Sequence, residues 1–461
     1  MAHPGWEATL ASSEDRAVAE LLELLRIPSV STDPARGTDV LTAAGWVRDR
    51  LALAGFLDVR LIPTSRHPVV IGRWEVDAAL PTVLIYGHYD VQPEDPVDLW
   101  ETAPFEPTIR DGRVFGRGAA DMKGNLLTAI HGVEASAAAN RGRPAINVAV
   151  IFEGEEEIGS PSLGAVVRDH ADLLRADAVL SADGGQFSDT VPSQTVARKG
   201  LAGIQIAIRG ANSDLHSGRY GAYVPNAARS AGELIASFHD GDGRVAVDGF
   251  YDRVIELTAG ERAEAAATAE DDASTLRALD IPELWGEAGY TAQERLWARP
   301  TLDINGVWSG FQGEGSKTVT PAEAWIKITT RLVPDQDPAE IVELIRVHVE
   351  KHRPRGTRTE ISGTAGSAKP YLLDRSNPVY AAVDVALTRL YGHPPVVQRA
   401  GGTIPATAIF LDELGLHTIG YAWSAPDSRS HAPNEWYGIA GFLRGRRGYA
   451  MLLDTLAEAT G

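Results

Sequence analysis

Seven acidic and imidazole side chains stand in five short segments of this chain: His88 and Asp90 in YGHYD, Asp121 in GRGAADMKG, Glu156 and Glu157 in FEGEEEIG, Asp183 in SADGG, and His431 in SRSHAPNE. Several of these segments follow apolar runs of strand length, and open α/β sheets place their sites outside the carboxyl ends of their strands. One carboxylate at such a position can simply cap a helix; five clusters together exceed what capping needs. The i, i+2 spacing of His88 and Asp90 puts both side chains on one side of an extended chain. Asp90 can then accept from one imidazole nitrogen while the other binds a metal ion. Adjacent Glu156 and Glu157 project in different directions, so one can ligate a cation and the other can reach a water beside it. That pairing suits hydrolysis, because a bound cation lowers the pKa of water from about 15.7 to about 7 and a neighbouring carboxylate removes and later delivers the proton.

Rival chemistries fail on residue type. GRGAADMKG is no phosphate loop, since no Gly directly precedes Lys123 and no Ser or Thr follows it. HExxH and GxSxG are absent. With no Cys among 461 residues there is no disulfide framework, thiolate nucleophile or thiolate-held metal, so any metal rests on His, Asp and Glu. The 43 basic and 62 acidic residues leave a net charge of −19, which opposes binding to nucleic acid or to an anionic membrane surface. No stretch approaches the ~18–20 apolar residues of a membrane span. The N-terminal segment lacks the cationic start and apolar core of a signal peptide, and a cytoplasmic protein is expected.

The positioning elements read as follows. EDRAVAELLELL carries Val18, Leu21, Leu22 and Leu25 at helical spacing behind an acidic first turn. VVIGRW, TVLIYGHYD, INVAVIFEGEEE and DAVLSADGG read as strands, with a helix over Gly124–Ala139 and a tight hairpin at Asp111-Gly112. Strands alternating with helices predict an α/β domain with a mostly parallel sheet flanked by helices. From Lys199 the pattern changes: LAGIQIAIRG and AWIKITTRLV alternate like half-exposed antiparallel strands, and Arg253–Ala298 reads as an inserted helical segment. The acidic run from Glu270 reads as solvated surface. After about Ala368 α/β character returns, so the expected organisation is one α/β domain over 1–198 and 368–461 interrupted by an α+β domain over 199–367.

Taken in order, YGHYDVQP (86–93), GRGAADMKG (116–124), EGEEEIGS (153–160), DLHSGRYGA (214–222), GEGSKTVTP (313–321), RLVP (331–334) and GGTIP (401–405) resemble the M20 metallopeptidase family, specifically its cytosolic dipeptidase and carnosinase branch, over nearly the whole chain. The resemblance implies a catalytic domain holding two divalent metal ions, most often zinc with manganese or cobalt as alternatives, and an inserted lid domain that mediates homodimerisation. By position it implies that Asp121 bridges the ions, that His88 and Asp183 complete one site and Glu157 and His431 the other, that Glu156 is the general base, and that Asp90 supports His88. The peptide after Asp121 is implied to be cis. His216 in the lid is implied to cross the dimer interface and stabilise the tetrahedral oxyanion. Arg331 is implied to hold the substrate carboxylate, for which a guanidinium fork is suited, with Gly402 and Thr403 lining the same pocket. Glu155 stands where the family often has Met. The implied activity is hydrolysis of unblocked dipeptides, with an N-acyl or N-carbamoyl amino-acid amidohydrolase as the alternative. A non-catalytic relative would show a broken ligand set, and no position in this set is broken.

Overall fold

The structure is a computed structural model and describes residues 4–363 and 367–460. The chain forms two compact units, one of Met1–Val196, Leu373–Val397 and Pro405–Gly461, the other of Ala197–Leu372 and Gln398–Ile404. Among the described residues no helix is long and apolar enough to cross a membrane.

The first unit is built on a six-stranded sheet in the order Asp58–Ile62, Val69–Trp74, Asn147–Glu153, Thr82–His88, Ala178–Ser181, Thr418–Gly420. Its last four strands are mutually parallel and the first two pair antiparallel, as fits a mixed α/β fold with a mostly parallel sheet. The central strands are buried at nearly every position, so they read as unbroken apolar runs instead of alternating ones. Register does the positioning. His88 lies level with Glu153 and Tyr86 with Ser181 on parallel neighbours, so the loops carrying Asp90, Glu156 and Asp183 leave the sheet side by side. The hairpin forms at Asp111-Gly112, both with positive φ (49° and 71°), the requirement of a two-residue turn that follows strand twist.

Helix Gly124–Ala139 is buried almost throughout and packs on the C-terminal helix Ile439–Thr460. The approach is close at Gly132, where a Cβ would stand 2.3 Å from Tyr449 Cβ. A helix over Pro4–Ser12 precedes the expected Glu14–Leu25 helix and was not anticipated. Only Trp6 and Leu10 mark its apolar side; they pack against Ala135 and Ala450.

The second unit holds an antiparallel sheet in the order Thr301–Ser309, Glu323–Leu332, Gly200–Arg209, Arg358–Gly363, with Ile206 opposite Ile326. Alternate residues, Ile204, Ile206, Ile208, Ile326 and Ile328, form a core with Leu234 of helix Ala227–Ala236 and Ile345 of helix Pro338–Lys351. Within 253–298 lie the helices Ala259–Ala267, Asp272–Leu279 and Ala292–Ala298, the first and last started by capping boxes at Thr258 and Thr291. The acidic run from Glu270 is exposed, and Asp271 caps the middle helix. Gln398–Ile404 groups with this unit and not with the 368–461 segment that surrounds it. Two long-range hydrogen bonds tie it there: the Thr403 hydroxyl donates to the Lys199 carbonyl at 2.6 Å, and Lys199 N donates to Ala400 O at 3.2 Å.

Candidate active site

The end of strand Thr82–His88 and four loops of the first unit bring His88, Asp121, Asp183, Glu157 and His431 together. One ligand atom each from His88, Asp121 and Asp183 lies within 4.8 Å of the others, and the same holds for Asp121, Glu157 and His431 and for His88, Glu156 and Glu157. Asp121 is common to the first two groups and divides its oxygens between them. Oδ1 is 3.2 Å from His88 Nε2, and Oδ2 is 2.9 Å from His431 Nε2, which also stands 3.3 Å from Glu157 Oε2. The His88 side chain is fully buried while that of His431 is 53% exposed, so the site opens to solvent on the His431 side.

Local contacts fix the segments that carry these side chains. The Asp121–Met122 peptide is cis. Gly118, at φ 80°, begins the turn before Asp121, and a Cβ there would meet Val91 Cγ1 at 2.4 Å. Asp90 differs from expectation in detail: His88 Nδ1 lies 3.0 Å from the Asp90 backbone carbonyl and 3.5 Å from its carboxylate. The carboxylate instead accepts from Glu156 N at 3.3 Å and Glu157 N at 3.1 Å, which anchors the turn carrying both glutamates. Glu155 stays out of the cluster. It is buried and saturated by Thr64 Oγ1, His67 N and both the amide and hydroxyl of Ser162. His431 and its neighbours Arg429 and Asn434 all take positive φ, unusual for three non-glycine residues in one loop.

The electrostatics fit cations. Four carboxylates and two imidazoles crowd this space. Burial holds the Glu156 carboxyl well above the usual carboxylate range; the Asp183, Glu157 and Asp121 charges push the same way and His88 opposes them. Hydrogen bonds to Asp121 and then Glu157 push His431 up to about 10. Glu157 Oε1 is buried with no hydrogen-bond partner, although Oε2 accepts from Gln92 Nε2 at 2.8 Å. A buried orphan acceptor amid excess negative charge is what a divalent ion relieves, and an oxygen and imidazole donor set suits zinc, manganese or cobalt.

The remaining sequence candidates belong to the second unit. His216 is exposed, and its Nδ1 accepts from Gly218 N at 3.0 Å, so the neutral ring carries its proton on Nε2. Arg331 Nη1 donates to Thr403 Oγ1 at 3.0 Å, and among the described residues no carboxylate pairs with it. Arg331 and Gly402 line a cavity of about 650 Å³ with Lys199, Tyr251, Trp285 and Leu296. Lys199 was not singled out in the sequence. Its buried Nζ donates to the Arg299 and Arg295 carbonyls, and burial followed by the Arg331 charge brings its pKa down to about 8. Glu435, Asn125 and Ser424 around the Asp121 turn were also missed; the only sequence signal for Glu435 is its place four residues after His431.

A profile of peptidase family M20/M25/M40 matches residues 84–455. The Cys-Gly metallodipeptidase DUG1 of Saccharomyces cerevisiae is 30% identical over 466 residues, covering 96% of this chain and 95% of that protein. The Beta-Ala-His dipeptidase of Homo sapiens is 29% identical over 407 residues, 85% of this chain and 78% of that protein. Among solved structures, an M20 family metallo-carboxypeptidase from Sulfolobus solfataricus superimposes with a TM-score of 0.85 at 31% identity, covering 96% of this chain and 99% of that one. With the profile spanning most of the chain and relatives aligned nearly end to end, this chain belongs to peptidase family M20/M25/M40, a family of hydrolases.

Proposed function

We propose that this chain is a dipeptidase that hydrolyses unblocked dipeptides with two divalent metal ions, preferably zinc, held by His88, Asp121, Asp183, Glu157 and His431. The observation that carries the reading is the division of the two Asp121 oxygens between His88 and His431, each with its own further carboxylate. Relatives named as a Cys-Gly metallodipeptidase and a Beta-Ala-His dipeptidase support the substrate class. Such ions, when bound, supply Lewis acidity to the attacking water and the scissile carbonyl.

The chain's own residues do the rest. Glu156, kept basic by burial and neighbouring charge, takes the proton of the attacking water and returns it to the leaving amine. His216 offers its exposed Nε2–H to the developing oxyanion, reaching it from the partner copy of a homodimer formed through the second unit. In support of that interface, Val307 and Trp308 on the edge strand Thr301–Ser309 and nearby Phe311 are exposed. Arg331, unpaired with any described carboxylate, takes the terminal carboxylate of the substrate with Thr403 and Gly402 beside it.

The test is amine release from free dipeptides, N-acyl and N-carbamoyl amino acids, tripeptides and longer peptides. Metal-dependent cleavage confined to free dipeptides is expected. Cleavage of blocked amino acids alone would make the chain a deacylase, and trimming of long peptides from the C-terminus would set it with its carboxypeptidase relative.

A further inference from the structure

Four hydrogen bonds converge on one buried carboxylate beneath the candidate site. The Glu435 side chain is inaccessible to solvent; its Oε2 accepts from Arg117 Nη1 at 2.7 Å and Gly118 N at 2.9 Å, and its Oε1 from Ala120 N at 2.8 Å and Asp121 N at 3.0 Å. Three of the four donors are backbone amides of the single turn that ends at Asp121. From the other side Ser424 Oγ donates to the Ala120 carbonyl at 2.8 Å, and Asn125 Nδ2 orients that hydroxyl at 2.8 Å. The Ala120–Asp121 peptide is therefore gripped at its N–H by Glu435 and at its C=O by Ser424. Rotating that plane would swing the Asp121 carboxylate away from His88 and His431, and it cannot rotate without breaking both bonds.

Charge balance alone does not explain the arrangement. Arg117 would neutralise Glu435 by itself, yet the carboxylate spends most of its acceptor capacity on the Asp121 turn. Glu435 also sits four residues after His431, so one short segment supplies both an imidazole of the site and the clamp on its shared carboxylate. We propose that Glu435, with Ser424, is a positioning residue that sets the Asp121 carboxylate between His88 and His431 before any metal ion arrives. The proposal rests on the reading of Asp121 as a shared metal ligand and adds what holds it in place.

The experiment titrates metal-stripped full-length wild type, Glu435→Gln and Ser424→Ala with zinc alone by calorimetry, and records the melting temperature of each with and without zinc. Wild type is expected to bind two ions. Glu435→Gln should weaken at least one site by roughly 10–100-fold, the usual effect of removing a group that orients a metal ligand. Zinc should also raise its melting temperature by less than it raises that of wild type. Ser424→Ala should weaken zinc binding in the same direction and more mildly. A purely structural Glu435 would lower the melting temperature equally with and without zinc at unchanged affinity, which overturns the proposal. If Glu435→Gln does not fold, unchanged zinc affinity in Ser424→Ala overturns it instead. Wild type that binds no zinc would overturn the metal reading itself, a result distinguishable from both.

Discussion

Glu156 and Glu157 are chain neighbours with different surroundings, and their expected tasks follow from that difference. Glu157 is almost fully buried, with one oxygen on Gln92 and toward His431 and the other without a partner; Glu156 sits beside His88 with its carboxyl pushed up by burial. A Glu156→Ala protein is expected to keep its metal ions while kcat falls about 10²–10⁴-fold, the cost of losing a general base. Metal analysis and steady-state kinetics on the same sample check this; ions and activity lost together would contradict the assignment. At this scale the clustering of His88, Asp121, Glu156, Glu157, Asp183 and His431 was legible in the sequence, because five acidic and imidazole segments in one chain exceed what capping needs. The groups that hold them were not. Nothing in the letter for Glu435 says that its partners are backbone amides, nothing in Glu155 says that Thr64 and Ser162 saturate it, and a two-residue spacing cannot tell whether Asp90 offers His88 its carboxylate or its carbonyl.

Helix Gly124–Ala139 runs from the Asp121 turn into a charged layer between helices. There His131 Nε2 lies 2.6 Å from Glu20 Oε2 on helix Glu14–Leu25, and Arg50 of helix Gly37–Ala54 donates to the same Glu20 oxygen at 2.7 Å. Burial brings the His131 pKa from 6.5 down to about 4. For Glu20, burial acts upward, but hydrogen bonds from His131 and Arg50 prevail and bring it from 4.5 down to about 2. Both folded values lie below the unfolded ones, so the unfolded chain takes up protons first on acidification. The His131 contribution is complete above about pH 6.5 and lost toward pH 4, and that of Glu20 is complete above about pH 4.5 and lost toward pH 2. The His131 share is roughly 3 kcal/mol at most. Melting temperature should fall between pH 7 and pH 5, and the fall should be smaller in His131→Gln; equal falls would show that His131 is not the group responsible. The long helices Gly37–Ala54 and Ile439–Thr460 drew no expectation from the sequence, whereas the Glu14–Leu25 and Gly124–Ala139 helices and the apolar central strands of this unit were legible. The Pro4–Ser12 helix was not, because two apolar residues behind Pro4 and Gly5 carry too little pattern, and its stability comes from packing on Ala135 and Ala450.

For the molecule as a whole, the sequence showed an α/β pattern interrupted by an antiparallel one, which is the mixed fold observed. The assignment of Gln398–Ile404 to the second unit was illegible because it depends on hydrogen bonds to Lys199, some 200 residues away. The proposed homodimer has its own test. If His216 acts in trans, mixing the separately inactive Glu156→Ala and His216→Ala proteins under conditions of subunit exchange should restore about a quarter of wild-type activity, since half the dimers are mixed and each holds one complete site. No recovery despite exchange would place His216 in its own chain's site or outside catalysis. The central claim is a peptide hydrolysis that depends on two metal ions sharing Asp121. Its most direct test is turnover of a free dipeptide such as Cys-Gly by metal-stripped protein as zinc is added in counted equivalents, with bound zinc measured in the same samples. The account predicts no turnover without metal and a rise that saturates at two ions per chain. Turnover indifferent to stripping, or two bound ions with no cleavage of any free dipeptide, would contradict it.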